Sequence, residues 1–125
     1  MKLDLGVHHV SINVDDLDTC LDFYVEKLGL EVLPRPDFGF PGAWLRTGGQ
    51  EVHLIQVEDH AAPKGQHFAF KVTNLDAICE ALDKEGIEVS KPLELPGGRQ
   101  SFMHDPAGNM LELNEPKSVS SASSA

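Results

Sequence analysis

Two stretches of nine residues decide the fold: HVSINVDDL at residues 9–17 and HFAFKVTNL at residues 67–75. Each begins with a histidine, alternates larger apolar residues with small or polar ones, and ends in two polar residues and a leucine. Alternation with a period of two predicts a half-buried strand, and polar residues before a new apolar stripe predict a helix N-terminus. The sequence therefore repeats one strand-to-helix unit at a spacing of 58 residues.

The residues after each predicted helix continue the repeat. Gly29 and Gly86 end the two helices, as glycine commonly does at a helix C-terminus. Three strand-like runs follow each glycine, and Gly- and Pro-rich turn sequences separate them. The predicted strands are residues 30–33, 43–46 and 51–57 in the first copy and 87–90, 100–104 and 110–114 in the second. We predict an α+β fold of two tandem βαβββ modules, at about residues 7–58 and 66–115.

Length and charge limit what this chain can be. With 125 residues it is predicted to form one domain over residues 1–116, followed by a flexible Ser/Ala-rich tail at residues 117–125. The formal net charge of −10 argues against nucleic acid or an anionic membrane surface as a partner. No apolar run is long enough for a membrane span or a signal peptide, which predicts a cytoplasmic protein.

Repeat-equivalent positions carry four potential metal ligands. Alternation places His9 and His67 on the strand face that points away from the helices. His53 and Glu112 occupy equivalent positions in the last strands of the two copies, at an offset of 59 residues. Three imidazoles and one carboxylate suit a first-row divalent metal ion. We therefore predict that the repeat brings these four side chains to one metal site.

The other three histidines are predicted to have no metal-binding role. His8 is expected to face the helix layer, and His60 lies in a polar loop. His104 precedes an Asp-Pro turn, where it is either structural or lines the pocket.

A second set of residues is predicted to contact a substrate. Arg99 follows a glycine pair and suits bidentate binding of a carboxylate, although a solvated surface role stays open. Trp44 ends an aromatic, turn-rich stretch at residues 38–44, which either lines the site or covers a sheet edge or a dimer contact. Asn13 and Phe102 complete the predicted substrate-binding set.

Five segments of the chain form a recognisable set: HHVSINVDDL (8–17), FY (23–24), LGL (28–30), QHFAF (66–70) and DPAGNMLEL (105–113). With these segments the sequence resembles the vicinal oxygen chelate superfamily. This group includes glyoxalase I, methylmalonyl-CoA epimerase, extradiol dioxygenases, fosfomycin-resistance thiol transferases and bleomycin-binding proteins. The resemblance implies an eight-stranded, cup-shaped mixed sheet with helices on its outer face, one divalent metal ion per site, and a homodimer. The family's metal positions fall on His9, His53, His67 and Glu112.

The resemblance implies glyoxalase-type isomerase or lyase chemistry on a small substrate that chelates the metal through two vicinal oxygens. The metal (Zn, Ni, Co, Mn or Fe) would act as a Lewis acid, and Glu112 would be either a ligand and proton-transferring base or a ligand alone. Glyoxalase I members often carry a carboxylate at the position of His53 and an arginine for glutathione at that of Asn13. Both departures argue against glutathione as the substrate.

Two other functions are compatible with the same residues. An extradiol-type ring-cleaving dioxygenase would use His9, His67 and Glu112 as its iron ligands, although His53 would then occupy a coordination position that dioxygen chemistry needs free. A metal-dependent thiol transferase on the same fold is the other enzyme. A non-catalytic drug- or toxin-binding protein is the third alternative, although such proteins commonly lack the metal ligands. The sequence leaves open whether the site forms within one chain or across two subunits.

Overall fold

A computed structural model describes residues 1–117 of the chain. The predicted tail therefore lies, from residue 118 onward, outside the described residues. The described part of the chain divides into two compact units, residues 1–62 and the described residues from 63 onward. The first unit contains β1 (His9–Val14), α1 (Leu17–Leu21) continued by a π-helical segment (Asp22–Lys27), β2 (Glu31–Leu33), β3 (Gly42–Thr47) and β4 (Gln50–Gln56). The second contains β5 (His67–Lys71), α2 (Leu75–Lys84), β6 (Leu93–Leu95), β7 (Gly98–His104) and β8 (Met110–Pro116).

Each unit holds one four-stranded mixed sheet, and the two sheets have the same topology. The strand orders are β1-β4-β3-β2 and β5-β8-β7-β6. The first and last strands of each unit pair in parallel, and the remaining pairs are antiparallel. The predicted α+β class and its two βαβββ modules are confirmed.

The predicted strand faces are also correct. Along β1, His9, Ser11 and Asn13 are exposed, whereas Val14 is fully buried. β5 alternates in the same way, with His67 exposed and Phe68 partly buried. The first unit buries Leu45, Val52 and Leu54 in its core, and the second buries Leu75, Leu82, Met103, Leu111 and Leu113. The prediction for His8 is wrong, because this residue precedes β1, is exposed, and lies against His9.

The first helix is not uniformly α-helical as predicted. After Leu21 it widens, and the Leu28 amide donates to the Phe23 carbonyl five residues earlier, at 3.0 Å. The consecutive Phe23 and Tyr24 side chains of this segment are both buried in the core, where their ring centroids lie 5.0 Å apart.

The predicted sixth strand is misplaced. Residues 87–90 are not a strand. The observed strand, β6, is Leu93–Leu95, and it begins three residues after the predicted strand ends. The turn at Pro96 and Gly97 sets this position, because it pairs Leu95 with Gly98 and thereby aligns the three residues before the turn with β7. Gly98 is required there, since a Cβ atom would overlap the backbone of Glu115 in β8. Ser90 keeps one backbone contact with β7, donating to the Phe102 carbonyl at 2.9 Å.

The start of α1 provides a test of local stability. The carboxylate of Asp16 accepts a hydrogen bond from the Thr19 amide at 3.1 Å, as predicted for an N-cap. Asp16→Ala is expected to lower the free energy of unfolding by about 1 kcal/mol, measured by urea denaturation. The repeat-equivalent Asn74 makes no side-chain cap bond in the described structure, so Asn74→Ala is the matched control and should cost less. Equal losses for the two variants would contradict this assignment.

The described helices are short. None within residues 1–117 is long and apolar enough to cross a membrane.

Candidate functional site

The first unit stacks three aromatic side chains across three neighbouring strands. The His9 ring on β1 lies 4.0 Å from the His53 ring on β4, and their planes differ by 16°. On the other side of His53, the Trp44 ring of β3 lies at 4.6 Å with an angle of 12°. The sheet register explains the arrangement. On β3, Trp44 lies directly opposite His53, and on β1 the partner of His53 is Ser11, which is two residues from His9 on the same strand face. Two predicted metal ligands and one predicted substrate residue are therefore in direct contact.

Glu51 belongs to this surface, although the sequence analysis did not single it out. Its carboxylate lies 2.8 Å from Nε2 of His53, and this hydrogen bond lowers the pKa of Glu51 below its ordinary value. Because a carboxylate only accepts, Nε2 carries the proton, and in the neutral ring Nδ1 keeps the lone pair that a metal requires. Glu51 is two residues from His53 on the same strand face and is the register partner of His9. Strand alternation alone was sufficient to place it there.

The second unit brings His67 and Glu112 together. Nε2 of His67 lies 3.0 Å from Oε1 of Glu112, and Nδ1 donates to the Gly65 carbonyl at 2.9 Å. The bond to the carbonyl is the main reason that the pKa of His67 is raised, and the contact with Glu112 adds to it. Glu112 is buried, and its other oxygen accepts from the side-chain amide of Asn114 at 2.9 Å. Both side chains are therefore held in place by neighbours.

An aromatic residue lies beside the predicted ligands in each unit. Phe102 on β7 is directly opposite Glu112, and its ring meets the His67 ring edge-on at 5.4 Å. Trp44 has the corresponding position opposite His53. Both aromatic residues were predicted to contact substrate, and each packs against a predicted metal ligand. Asn13 is exposed on β1 on the same face as His9.

Arg99 is bound to carboxylates of its own chain. Its guanidinium donates two hydrogen bonds to Asp76 at 3.1 Å each and a third, through Nε, to Glu115 at 3.1 Å. These bonds raise its pKa further above the ordinary value. They connect β7 and β8 to the first turn of α2. The geometry favours this structural role over the predicted substrate-carboxylate contact.

The described structure does not itself assemble a complete metal site. Within residues 1–117, no three His, Cys, Asp or Glu side chains form a group that could hold a metal ion. The structure brings together His9 with His53 in one unit and His67 with Glu112 in the other. The four-ligand site stays a prediction.

The donor chemistry of the second pair fits a cation. With Nδ1–H donated to a carbonyl, the neutral ring of His67 directs a lone pair at a carboxylate. Two such groups 3.0 Å apart repel each other unless a proton or a metal cation binds them.

Comparison with known proteins identifies the family. A family model described as the Glyoxalase/Bleomycin resistance protein/Dioxygenase superfamily matches residues 6–113. The chain belongs to this superfamily. The match covers both βαβββ units and includes all four predicted metal ligands.

Curated relatives within the superfamily include named glyoxalases. "Glyoxylase I 4" of Arabidopsis thaliana is 30% identical, over 90% of this chain and 76% of the relative. "Lactoylglutathione lyase" of Haemophilus influenzae is 29% identical, over 94% of this chain and 97% of the relative.

Solved structures of the superfamily share the fold. A glyoxalase family protein from Bacillus anthracis has a TM-score of 0.86 at 30% identity, over 94% of this chain and 99% of the other. TnmS3, an antibiotic binding protein from Streptomyces sp. CB03234, has a TM-score of 0.80 at 26% identity, over 94% and 100% of the two chains.

Proposed function

We propose that this protein is a divalent-metal-dependent enzyme of the glyoxalase type. It would carry out lyase or isomerase chemistry on a small substrate that chelates the metal through two vicinal oxygens. Superfamily membership and the named glyoxalase relatives support the class of enzyme. The proposed ligands are His9, His53, His67 and Glu112, and they bind one ion per chain, of Zn, Ni, Co, Mn or Fe.

The observation that carries this proposal is the contact between His67 and Glu112. An imidazole whose Nδ1–H is donated to a backbone carbonyl is the usual arrangement of a metal-binding histidine, because the donated bond fixes the tautomer and the ring orientation. Asn114 orients the carboxylate of Glu112 in a similar way. Glu51 plays the corresponding part for His53 in the first unit. His9 also has a partner, since its Nδ1 lies 3.0 Å from Nδ1 of His8, so each of the four proposed ligands has a neighbour that holds it.

In the proposed reaction, the metal ion and the residues around it have separate roles. When bound, the metal supplies a Lewis acid that polarises a substrate carbonyl. Glu112 would remove the proton from the hydroxyl-bearing carbon next to that carbonyl and return it to the former carbonyl carbon, while the hydroxyl proton passes to the former carbonyl oxygen, so that carbonyl and hydroxyl exchange places. Asn114 keeps the second carboxylate oxygen in place during this transfer, at 2.9 Å. Trp44 stacks on the His53 ring and Phe102 meets the His67 ring edge-on, so each aromatic residue restricts the orientation of one proposed ligand.

Metal uptake tests the proposal directly. Chelator-stripped full-length protein titrated with Zn, Ni, Co, Mn or Fe(II) is expected to bind one ion per chain, measured by calorimetry and elemental analysis. Binding should also raise the midpoint of thermal unfolding, because only the folded chain holds the ligands together. A protein that takes up none of these ions would overturn the proposal. Activity that requires both Fe(II) and oxygen would instead establish a ring-cleaving dioxygenase.

A second candidate function is binding of a small drug or toxin without catalysis. The similarity to the antibiotic binding protein TnmS3, together with the exposed aromatic residues of the first unit, favours this alternative. The metal titration separates the two functions. The homodimer and the cytoplasmic location stay predictions, and sedimentation equilibrium with and without metal tests the former.

A further inference from the structure

The loop between β2 and β3 extends the aromatic stack of the first unit. The Phe38 ring lies 5.9 Å from Trp44, and the Phe40 ring lies 5.9 Å from Phe38. Together with His53 and His9, these rings form a continuous series of five, which we call the aromatic strip (His9, His53, Trp44, Phe38 and Phe40). It leads from two proposed metal ligands to an exposed loop.

The outer end of the strip is unusually accessible for aromatic side chains. Phe38 is 51% exposed and Phe40 is 44% exposed. Contiguous exposed apolar surface beside polar residues commonly marks a binding site, because leaving it in water is unfavourable. Neither ring is among the buried side chains that form the core of this unit.

Arg35 gives this end of the strip a positive charge. Its guanidinium carbon lies 5.0 Å from the Phe38 ring centre and 5.1 Å from the Phe40 ring centre, and Nη2 donates to the Phe40 carbonyl at 3.2 Å. The chain has three arginines, and the other two, Arg46 and Arg99, form ion pairs with carboxylates. Within residues 1–117, no carboxylate lies within 4.0 Å of the Arg35 guanidinium. In a chain of net charge −10, such a cation is suited to an anionic ligand.

We propose that the aromatic strip binds a small planar aromatic anion, with its ring against Phe38 and Trp44 and its charge at Arg35. The inference rests on the proposed function in one respect: it places the rest of the ligand toward His53, where the metal would act. It names the substrate class as aromatic or conjugated carboxylates. Stacked aromatic rings attract one another more strongly than the burial of their apolar surface alone would give, and a guanidinium group can donate two parallel hydrogen bonds to a carboxylate.

The only tryptophan in the chain, Trp44, reports on this surface. Metal-free full-length protein in EDTA is titrated with 4-nitrobenzoate, and quenching of tryptophan fluorescence is compared with calorimetry. We expect saturable quenching. 4-Nitrobenzyl alcohol, with the same ring but no charge, should bind about fivefold more weakly, and cyclohexanecarboxylate, with the charge but no aromatic ring, about tenfold more weakly. Equal affinity for all three ligands would overturn the proposal.

Variants test the aromatic contact of Phe38 and the positive charge of Arg35 separately. Phe38→Leu keeps an apolar side chain and should weaken 4-nitrobenzoate binding about tenfold. Arg35→Gln should remove the preference for the carboxylate over the alcohol, whereas Arg35→Lys should retain part of it. Lys27→Gln, which removes a positive charge from the helical segment, is the matched control and should bind as wild type does. Circular dichroism establishes that each variant is folded.

The test is independent of metal binding. If the protein takes up no metal but still binds 4-nitrobenzoate through Phe38 and Arg35, the proposed enzyme fails and the aromatic site stands. If it takes up metal while Phe38→Leu and Arg35→Gln bind 4-nitrobenzoate as wild type does, the aromatic site is overturned and the metal proposal is unaffected.

Discussion

Replacing Glu112 by glutamine is expected to weaken divalent-metal binding by about 100-fold or more. The amide keeps the size of the side chain but removes the only negative charge from the proposed ligand set, and neighbours that merely orient ligands already change affinity by about 10- to 100-fold. At a metal concentration of about 1,000 times the wild-type Kd, binding stabilises the wild type by about 4 kcal/mol. The variant would lose about 2.7 kcal/mol of this. Competition with a chelator measures the affinity, and thermal unfolding measures the stabilisation.

Histidine variants provide the controls for this prediction. His9→Ala, His53→Ala and His67→Ala should each lower metal affinity sharply, while His60→Ala and His104→Ala should leave it unchanged. If Glu112→Gln bound metal as tightly as the wild type, the proposed ligand set would be wrong. Unchanged affinity in His53→Ala alone would leave His9, His67 and Glu112, the triad that suits a ring-cleaving dioxygenase.

Local periodicity explains why so much of this fold was predictable. Alternation along β1 and β5 assigned the exposed faces correctly, and Gly29 indicated where β2 begins. Ile87–Ser90 shows the limit of this reasoning. That run has a strand-like composition, but the Pro96–Gly97 turn determines which residues pair with β7. Composition predicted a strand at residues 87–90, whereas the pairing with β7 places the strand at Leu93–Leu95.

The pairing of side chains was predictable only where it follows from the repeat. His67 and Glu112 share a strand face and lie on hydrogen-bonded neighbouring strands, so their contact follows from alternation and strand order. Arg99 illustrates the opposite case. Its partner Asp76 lies 23 residues away at the start of α2, and no local pattern indicates that β7 passes there. A plausible substrate residue therefore proved to be bound within its own unit.

Replacing Glu115 by alanine is expected to destabilise the protein by about 3 kcal/mol. Glu115 is buried near the end of β8, and its carboxylate accepts a hydrogen bond at 2.9 Å from the amide of Leu75, the first residue of α2. It thereby satisfies a helix N-terminal donor that the Asn74 side chain does not reach, and its negative charge lies at the positive end of the helix. The alanine variant would leave the buried Leu75 amide without this acceptor and remove the ion pair between Arg99 and Glu115. Urea denaturation measures the loss.

The repeat supplies a matched comparison for this buried contact. In the first unit the neutral side chain of Gln56 accepts from the Leu17 amide, also at 2.9 Å, and this contact is only partly buried. Gln56→Ala should therefore cost about 1 kcal/mol, and Glu115→Gln, which keeps an acceptor oxygen, should also cost less than Glu115→Ala. If Gln56→Ala were as destabilising as Glu115→Ala, the charge of Glu115 and its burial would contribute nothing beyond one hydrogen bond. The same last-strand position connects strand to helix in both units, and only the second uses a carboxylate to do so.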